Sequence, residues 1–241
     1  MKDVLGLGWV FATDYSPDGR RLAVAGPSVL YIINADSYEI EQQLFGHTHG
    51  IYAVRWSPDG KYLASGSVDT LVKIWDAESG RVVHTLDGHN ALVTSVAWSP
   101  DGRYLASGGD FTTVIWEVET GAFITRLPSA DAASVAWSGD GRYLAVGTIF
   151  PSLQIWDTTT WELVRELLGY GSRVASVAWS PDHRYLASGN DGGIVLWEVG
   201  TWNLWRTIRT PGVVHGVAWS PNCKQLASDR WVWDPATGDL L

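Results

Sequence analysis

The five residues Trp98-Ser99-Pro100-Asp101-Gly102, set between the apolar runs 93–98 and 104–106, recur along the whole chain. The frame returns intact at Trp56 and with Gly139 in the proline position after Trp137. It reads Trp-Ser-Pro-Asp-His at Trp179 and Trp-Ser-Pro-Asn-Cys at Trp219, and Tyr15 replaces the tryptophan in the first copy. The leading aromatic residues at 15, 56, 98, 137, 179 and 219 lie 39 to 42 residues apart. That is the period of stacked repeat architectures. A unit of this size cannot bury a core alone, so the copies must pack on one another, and residues 1–241 are expected to form one domain.

Within a copy the pattern is that of short strands. In the second, 51–56, 61–65, 71–75 and 81–86 are strand-like runs bounded by Gly, Asp, Ser or Pro. Proline presets φ in the first hairpin, aspartate caps its own turn, and glycine takes the left-handed position. No helical period of useful length interrupts these runs. The 15 tryptophans are distributed unevenly: ten occupy two fixed positions of the repeat, at the ends of the first and third strands. Four-stranded sheets of this kind bury both faces only against neighbours, and radial repetition leaves few exposed edges. The fold class is therefore all-β, with four-stranded antiparallel units arranged radially.

The chain carries 17 Lys and Arg against 26 Asp and Glu, a formal net charge of -9. This offers phosphate no counter-charge, so nucleic acid and anionic membrane are not expected partners, and a basic peptide is an easier one. One cysteine, Cys223, excludes an intrachain disulfide and multi-cysteine metal sites. The start has no signal-peptide pattern and no apolar run reaches membrane length, so a cytoplasmic protein is expected.

The third strands end in Ile74-Trp75-Asp76, Ile115-Trp116-Glu117, Ile155-Trp156-Asp157, Leu196-Trp197-Glu198 and Val232-Trp233-Asp234, while Gly46-His47 and Gly88-His89 precede two first strands. Over essentially its whole length the chain resembles the WD-repeat β-propeller family, whose blades run from Gly-His to Trp-Asp. TolB-like six-bladed propellers share the Ser-Pro-Asp-Gly turn, but the five Trp-acid pairs favour the WD type. The resemblance is specific for fold and says little of chemistry. Spacing also predicts closure. The eight residues after Trp233 and the fifteen from Met1 to Tyr15 together match the 21 to 23 residues that elsewhere separate a third-strand tryptophan from the next first-strand aromatic. Six four-stranded blades are expected, closed by residues 1–5 pairing beside the last blade, whose outer strand includes 238–241. Most members have seven blades, so part of a longer array, or an engineered array, stays open. Blade six is abbreviated, with 14 residues from Trp219 to Trp233 against 18 or 19 elsewhere.

The recurring sets His47, Ser65, Asp69, Trp75 and His89, Ser107, Asp110, Trp116 suggest a serine triad at first sight. The resemblance implies instead a buried hydrogen-bond network tying strands of one blade together, and no enzyme. Blade five keeps Ser188, Asp191 and Trp197 with Tyr170 in the histidine position; blades one, four and six lack the set. His47 and His49 share a strand face without a third ligand, so no metal and no cofactor is expected. His84 and His183 read as surface residues. His183 and Cys223 stand where the turn needs glycine, so each either strains a left-handed position or changes the turn type, and Cys223 would be an exposed thiol.

By resemblance, partners dock where the chain enters the first strands and where second strands connect to third ones. The positions there are Trp9 and Phe11, Gly50 and Tyr52, Leu92 and Thr94, Asp131 and Ala133, Arg173 and Ala175, Val213 and His215, joined by Phe111, Ile149 and Phe150 from loops. The expected function is a non-catalytic scaffold binding a peptide or protein loop at this mouth, with Asp131 and Arg173 as polar discriminators, acting as a monomer. Trp9 and Phe11 have the alternative role of plugging the channel. Trp161, Trp202, Trp205 and Trp231 fall outside the two repeating positions and offer either a second interface or edge packing. A structural repeat array without an evolved ligand, designed or recently amplified, is the other functional reading. A propeller enzyme ranks behind both, for want of convergent carboxylates or histidines.

Overall fold

Serine and aspartate together close each hairpin turn. Ser57 Oγ donates to Asp59 Oδ1 (2.7 Å) and accepts the Tyr62 amide (2.9 Å); Asp59 Oδ1 accepts the Lys61 amide (3.1 Å), and Gly60 stands at φ +71°. The same bonds form around Ser16, Ser99, Ser138 and Ser180, and Asn222 replaces the aspartate beside Ser220. His183 (φ +61°) and Cys223 (φ +58°) keep the turn and accept the left-handed conformation, at about 1 kcal/mol each. The Cys223 thiol is half-buried rather than exposed.

The computed structural model describes residues 8–109, 111–129, 132–150, 152–168 and 173–241. They form six antiparallel sheets. The first is β1 (Ala12–Tyr15), β2 (Arg21–Ala25), β3 (Val29–Asn34) and β4 (Ile40–Phe45). The second is β5 (Ile51–Trp56), β6 (Tyr62–Ser67), β7 (Leu71–Asp76) and β8 (Val82–Asp87), and the third β9 (Val93–Trp98), β10 (Tyr104–Gly109), β11 (Thr112–Glu117) and β12 (Phe123–Pro128). The fourth is β13 (Ala132–Trp137), β14 (Tyr143–Thr148), β15 (Ser152–Asp157) and β16 (Leu163–Leu168), and the fifth β17 (Val174–Trp179), β18 (Tyr185–Asn190), β19 (Gly193–Glu198) and β20 (Leu204–Ile208). The sixth holds only β21 (Val217–Trp219), β22 (Leu226–Ser228) and β23 (Trp231–Trp233). Among the described residues no helix is long and apolar enough to cross a membrane.

Among the described residues the sixth sheet has three strands where four were expected. The hairpin between its second and third strands is too short for a full ladder: only Leu226 to Ser228 pair with Trp233 to Trp231. The outer strand is reduced to one bridge, Trp233 to Leu240, with the Leu241 amide donating to the Val232 carbonyl (2.9 Å). Residues 1–5, expected to complete that strand, lie outside the described residues.

The sheets fall into two compact units, residues up to 110 with Val114–Arg126, and Phe111–Thr113 with Leu127–Leu241. In the first, β5 packs beside β1 and β9; in the second, β17 packs beside β13 and β21. The core lies between successive sheets. Leu30, Ile32 and Leu44 of one blade meet Ile51, Val54, Trp56 and Trp75 of the next, and Leu153, Ile155 and Leu167 meet Val174, Val177 and Trp197. Middle strands are therefore buried on both faces and outer strands largely exposed. Such close stacking needs Gly66, where a Cβ would stand 2.5 Å from Val93 Cγ1.

Candidate functional site

Third-strand tryptophans tie strands within a blade. The Trp75 indole N–H donates to Ser65 Oγ (2.7 Å), Ser65 meets His47 Nε2 (2.8 Å), and His47 Nδ1 meets Asp69 Oδ2 (2.8 Å), which also accepts the Thr48 amide (2.9 Å). With a donor-only indole at one end and an acceptor-only carboxylate at the other, the protons run in one direction: the Ser65 hydroxyl donates to Nε2, and Nδ1–H donates to the carboxylate. Burial pushes the His47 imidazole below its ordinary value, and the opposing pull of Asp69 does not restore it, in keeping with a neutral ring. Burial works against ionisation of Asp69, but the Thr48 amide and His47 outweigh it and hold the carboxyl below the usual range. Ser65 Oγ has no exposure and already serves Trp75 and His47. It is a structural hydroxyl, not a nucleophile a substrate reaches.

The other blades use parts of this set. His89 Nε2 meets Ser107 Oγ (2.7 Å), which accepts Trp116 Nε1–H (2.8 Å); Asp110 lies outside the described residues. In blade five Trp197 donates to Ser188 (3.3 Å), Tyr170 lies outside the described residues, and Asp191 faces Arg173 (3.6 Å). Blade six, expected to lack the set, retains its Trp233 to Ser228 bond (2.8 Å). In blade four Trp156 turns to Gln154 (3.3 Å).

First-strand tryptophans have a different task, which the sequence reading missed. Trp56, Trp98, Trp179 and Trp219 donate to the carbonyls of Asp14 (3.1 Å), Arg55 (3.0 Å), Ala136 (2.9 Å) and Ala178 (3.1 Å) in the preceding blade. Asp14 also accepts the Trp56 amide (2.7 Å), and burial raises its carboxyl against the Arg55 charge and this bond. The signal was available in the repeat: a buried tryptophan needs an acceptor, and the serine that follows each one is committed to its own turn.

The remaining tryptophans divide. Trp202, read as a possible second interface, is buried; it stands at φ +58° and packs edge-on against Tyr143 (5.2 Å) and Trp179 (6.2 Å). Trp161, at the equivalent left-handed position, packs on Trp137 (5.9 Å), and Trp205 stacks on Tyr185 (4.1 Å). Only Trp9 and Trp231 among the five expose a ring without such a ring contact among the described residues.

Of the residues read as the mouth, Phe11 and Tyr52 come together, their rings stacked at 4.8 Å and 14° while 39% and 43% exposed. Gly50 lies beside the pair, where a Cβ would stand 3.2 Å from Tyr52. Trp9 is 79% exposed, so it does not plug a core. Leu92, Phe111 and Phe150 are exposed, with Phe111 at φ +56°. Thr94 turns inward to the Gly108 carbonyl (3.1 Å). Asp131 lies outside the described residues. His215 donates its amide to both Asp229 oxygens (3.3 and 3.2 Å) and brings Nδ1 to 3.6 Å from that carboxylate. Among the described residues no three His, Cys, Asp or Glu side chains gather as a metal site, and His49 meets Thr48 Oγ1 (3.0 Å).

Within each unit antiparallel blades stack, tied to the preceding blade by Trp-carbonyl bonds and, in four blades, internally by Ser-Trp bonds, which defines a β-propeller repeat protein. The family model of the IFT122 first beta-propeller matches residues 9–166, more than half the chain, and the model of the WD domain, G-beta repeat, matches 161–198. The chain belongs to this WD-repeat β-propeller family. Segments are similar to Protein HIR1 of Mycosarcoma maydis, 35% identical over 83 residues, which is 29% of this chain and 8% of that protein. Target of rapamycin complex subunit wat1 of Schizosaccharomyces pombe is 46% identical over 63 residues, 25% of this chain and 20% of that protein. WD repeat-containing protein 1 of Bos taurus is 42% identical over 66 residues, 26% of this chain and 11% of that protein. The matched stretches thus span at most a fifth of these relatives.

Proposed function

We propose that the chain is a non-catalytic protein-interaction scaffold, capturing a peptide or protein loop at the propeller mouth. The observation that carries this is the exposed Phe11–Tyr52 stack with Trp9 nearby in sequence. Paired rings held open to solvent supply large contact area at little entropic loss, and such aromatics dominate interface energetics. Leu92, Phe111 and Phe150, each exposed, are assigned by this reading to apolar contacts, and Asp131, Arg173 and His215 to discrimination by charge. One of the similar proteins is by its name a subunit of a larger complex, which fits a scaffold. The same reading takes the six sheets as six blades of a closed ring, with residues 1–5 completing the last, in a cytoplasmic monomer that binds neither nucleic acid nor membrane.

The test is selection of peptides from a display library on the purified chain, followed by titration against Tyr52→Ala, Trp9→Ala and Arg173→Ala. Truncating a central aromatic is expected to weaken binding by about 30-fold, the 2 kcal/mol of an interface hot spot. Selected peptides that bind all three variants as tightly as the parent chain would remove the proposed site.

A further inference from the structure

The Ser-Trp bond gives a common ruler for the hairpin between second and third strands. The bonded residues are 10 apart in Ser65–Trp75 and 9 apart in Ser107–Trp116 and Ser188–Trp197, but only 5 apart in Ser228–Trp233. The base of the blade-six hairpin is kept, so the four or five absent residues all come from its tip. Between this short hairpin and the connection into β21 lies a cavity of about 340 Å³, walled by Pro211, Val213, His215, Asp229, Arg230 and Trp231 among others. That is within the size range of ligand pockets, roughly 300–1,000 Å³.

Other blades show what fills this place. In blade two it is the turn Ser67-Val68-Asp69-Thr70, whose carboxylate accepts from His47 Nδ1 and the Thr48 amide. In blade five Asp191 faces Arg173 at 3.6 Å. The recurring occupant is a tight turn presenting a carboxylate to donors on the connection into the first strand. In blade six Asp229 is already engaged by the His215 amide and stands at a left-handed φ of +44°. Next to it Arg230 is exposed and, among the described residues, has no ion pair, while Trp231 keeps a ring 38% exposed. Of the two charged side chains lining the cavity, Asp229 is thus taken up by His215, and Arg230 is the one left to a ligand; distant charge is screened beyond about 8 Å at physiological salt.

We propose that this cavity binds an acidic peptide turn, which supplies in trans the hairpin tip that blade six lacks. The ligand carboxylate pairs with the Arg230 guanidinium, and its apolar neighbour covers Trp231. The inference deepens the scaffold reading by naming a partner chemistry. It shares Val213 and His215 with that reading and otherwise uses separate residues.

The probe is the capped hexapeptide of residues 66–71, Gly-Ser-Val-Asp-Thr-Leu, titrated into ¹⁵N-labelled chain and compared with its Asp→Lys counterpart. Saturable amide shifts are expected in 210–215 and 229–231. Affinity should fall about tenfold or more for the lysine peptide and for Arg230→Glu, as for loss and reversal of a charge-assisted pair, and stay unchanged in Tyr52→Ala. A variant with Val-Asp-Thr inserted between Asp229 and Arg230 fills the cavity in cis and should lose the response. Absence of saturable shifts at millimolar peptide, equal binding of the lysine peptide, or undiminished binding by the insertion variant overturns the proposal. Loss of binding in Tyr52→Ala with retention in Arg230→Glu also overturns it, while leaving the aromatic mouth standing.

Discussion

Two departures from the repeated turn, Gly139 for proline and His183 for glycine, are one feature seen from two blades. A Cβ on Gly139 would stand 2.2 Å from His183 Cε1 and 2.8 Å from Nδ1. The imidazole thus occupies space that proline fills in the five other turns. Gly139 is not at positive φ, so the glycine supplies room rather than conformational freedom. Burial of Asp140 opposes its ionisation, but the Ser138 hydroxyl, the Arg142 amide and the His183 and Arg142 charges hold its carboxyl below the ordinary range. Gly139→Pro alone must expel the ring and is expected to destabilise by about 1–3 kcal/mol, as overpacking does. His183→Gly alone relieves a left-handed strain of about 1 kcal/mol, offset in part by unfolded-state entropy. With both changes the clash is gone and proline contributes about 0.4–1 kcal/mol through the unfolded chain. The cycle should therefore show a coupling of about 1.5–3 kcal/mol in urea unfolding, within the range for residues in contact. A double variant whose stability equals the sum of the single effects within about 0.5 kcal/mol would refute the steric argument.

Other expectations follow the same contacts. Gly66→Ala places a methyl 2.5 Å from Val93 Cγ1 and should lower stability by about 1–3 kcal/mol, with partial recovery in Gly66→Ala/Val93→Ala; full stability in the single variant would mean the blades are not this close. Ser65→Ala leaves the buried Trp75 N–H and His47 Nε2 without their shared partner, a loss of at least about 2 kcal/mol, measured by denaturant midpoint. The depressed His47 value means that the unfolded chain gains a proton which the folded chain refuses. Stability from this group is complete above the ordinary histidine value of about 6.5 and declines as pH falls below it toward the folded value, and His47→Gln should flatten that limb. The turn carboxylates act in a lower window. Burial opposes ionisation of Asp59, Asp101 and Asp182, yet the hydroxyls of Ser57, Ser99 and Ser180 and nearby amides outweigh it, so their share is present above about pH 4 and is lost on acidifying through the folded values.

Much of the fold was legible because its signals are local. A Ser-Pro-Asp-Gly turn closes within five residues, a strand pairs with one reached by a short hairpin, and the His47 to Trp75 network spans one blade. Blade six shows where this stops. Its shortness was plain from Trp219 and Trp233, but the cavity beside a hairpin that keeps its Ser228–Trp233 base depends on which residues are absent. Of the candidate site, Trp9, Phe11, Tyr52, Leu92, Phe111 and Phe150 are exposed, whereas Thr94 turned inward because the Gly108 carbonyl lay within reach of its hydroxyl.

The sequence by itself determined the period, the antiparallel strands, the two tryptophan positions and the turn chemistry, since each is set by bonds between residues close along the chain. Only the packing of sheets sets which carbonyl each first-strand tryptophan reaches about one repeat away and that His183 lies over Gly139. These are contacts between one blade and the next. Their partners are separated by roughly a full repeat, and only the stacking of sheets brings them within bonding distance.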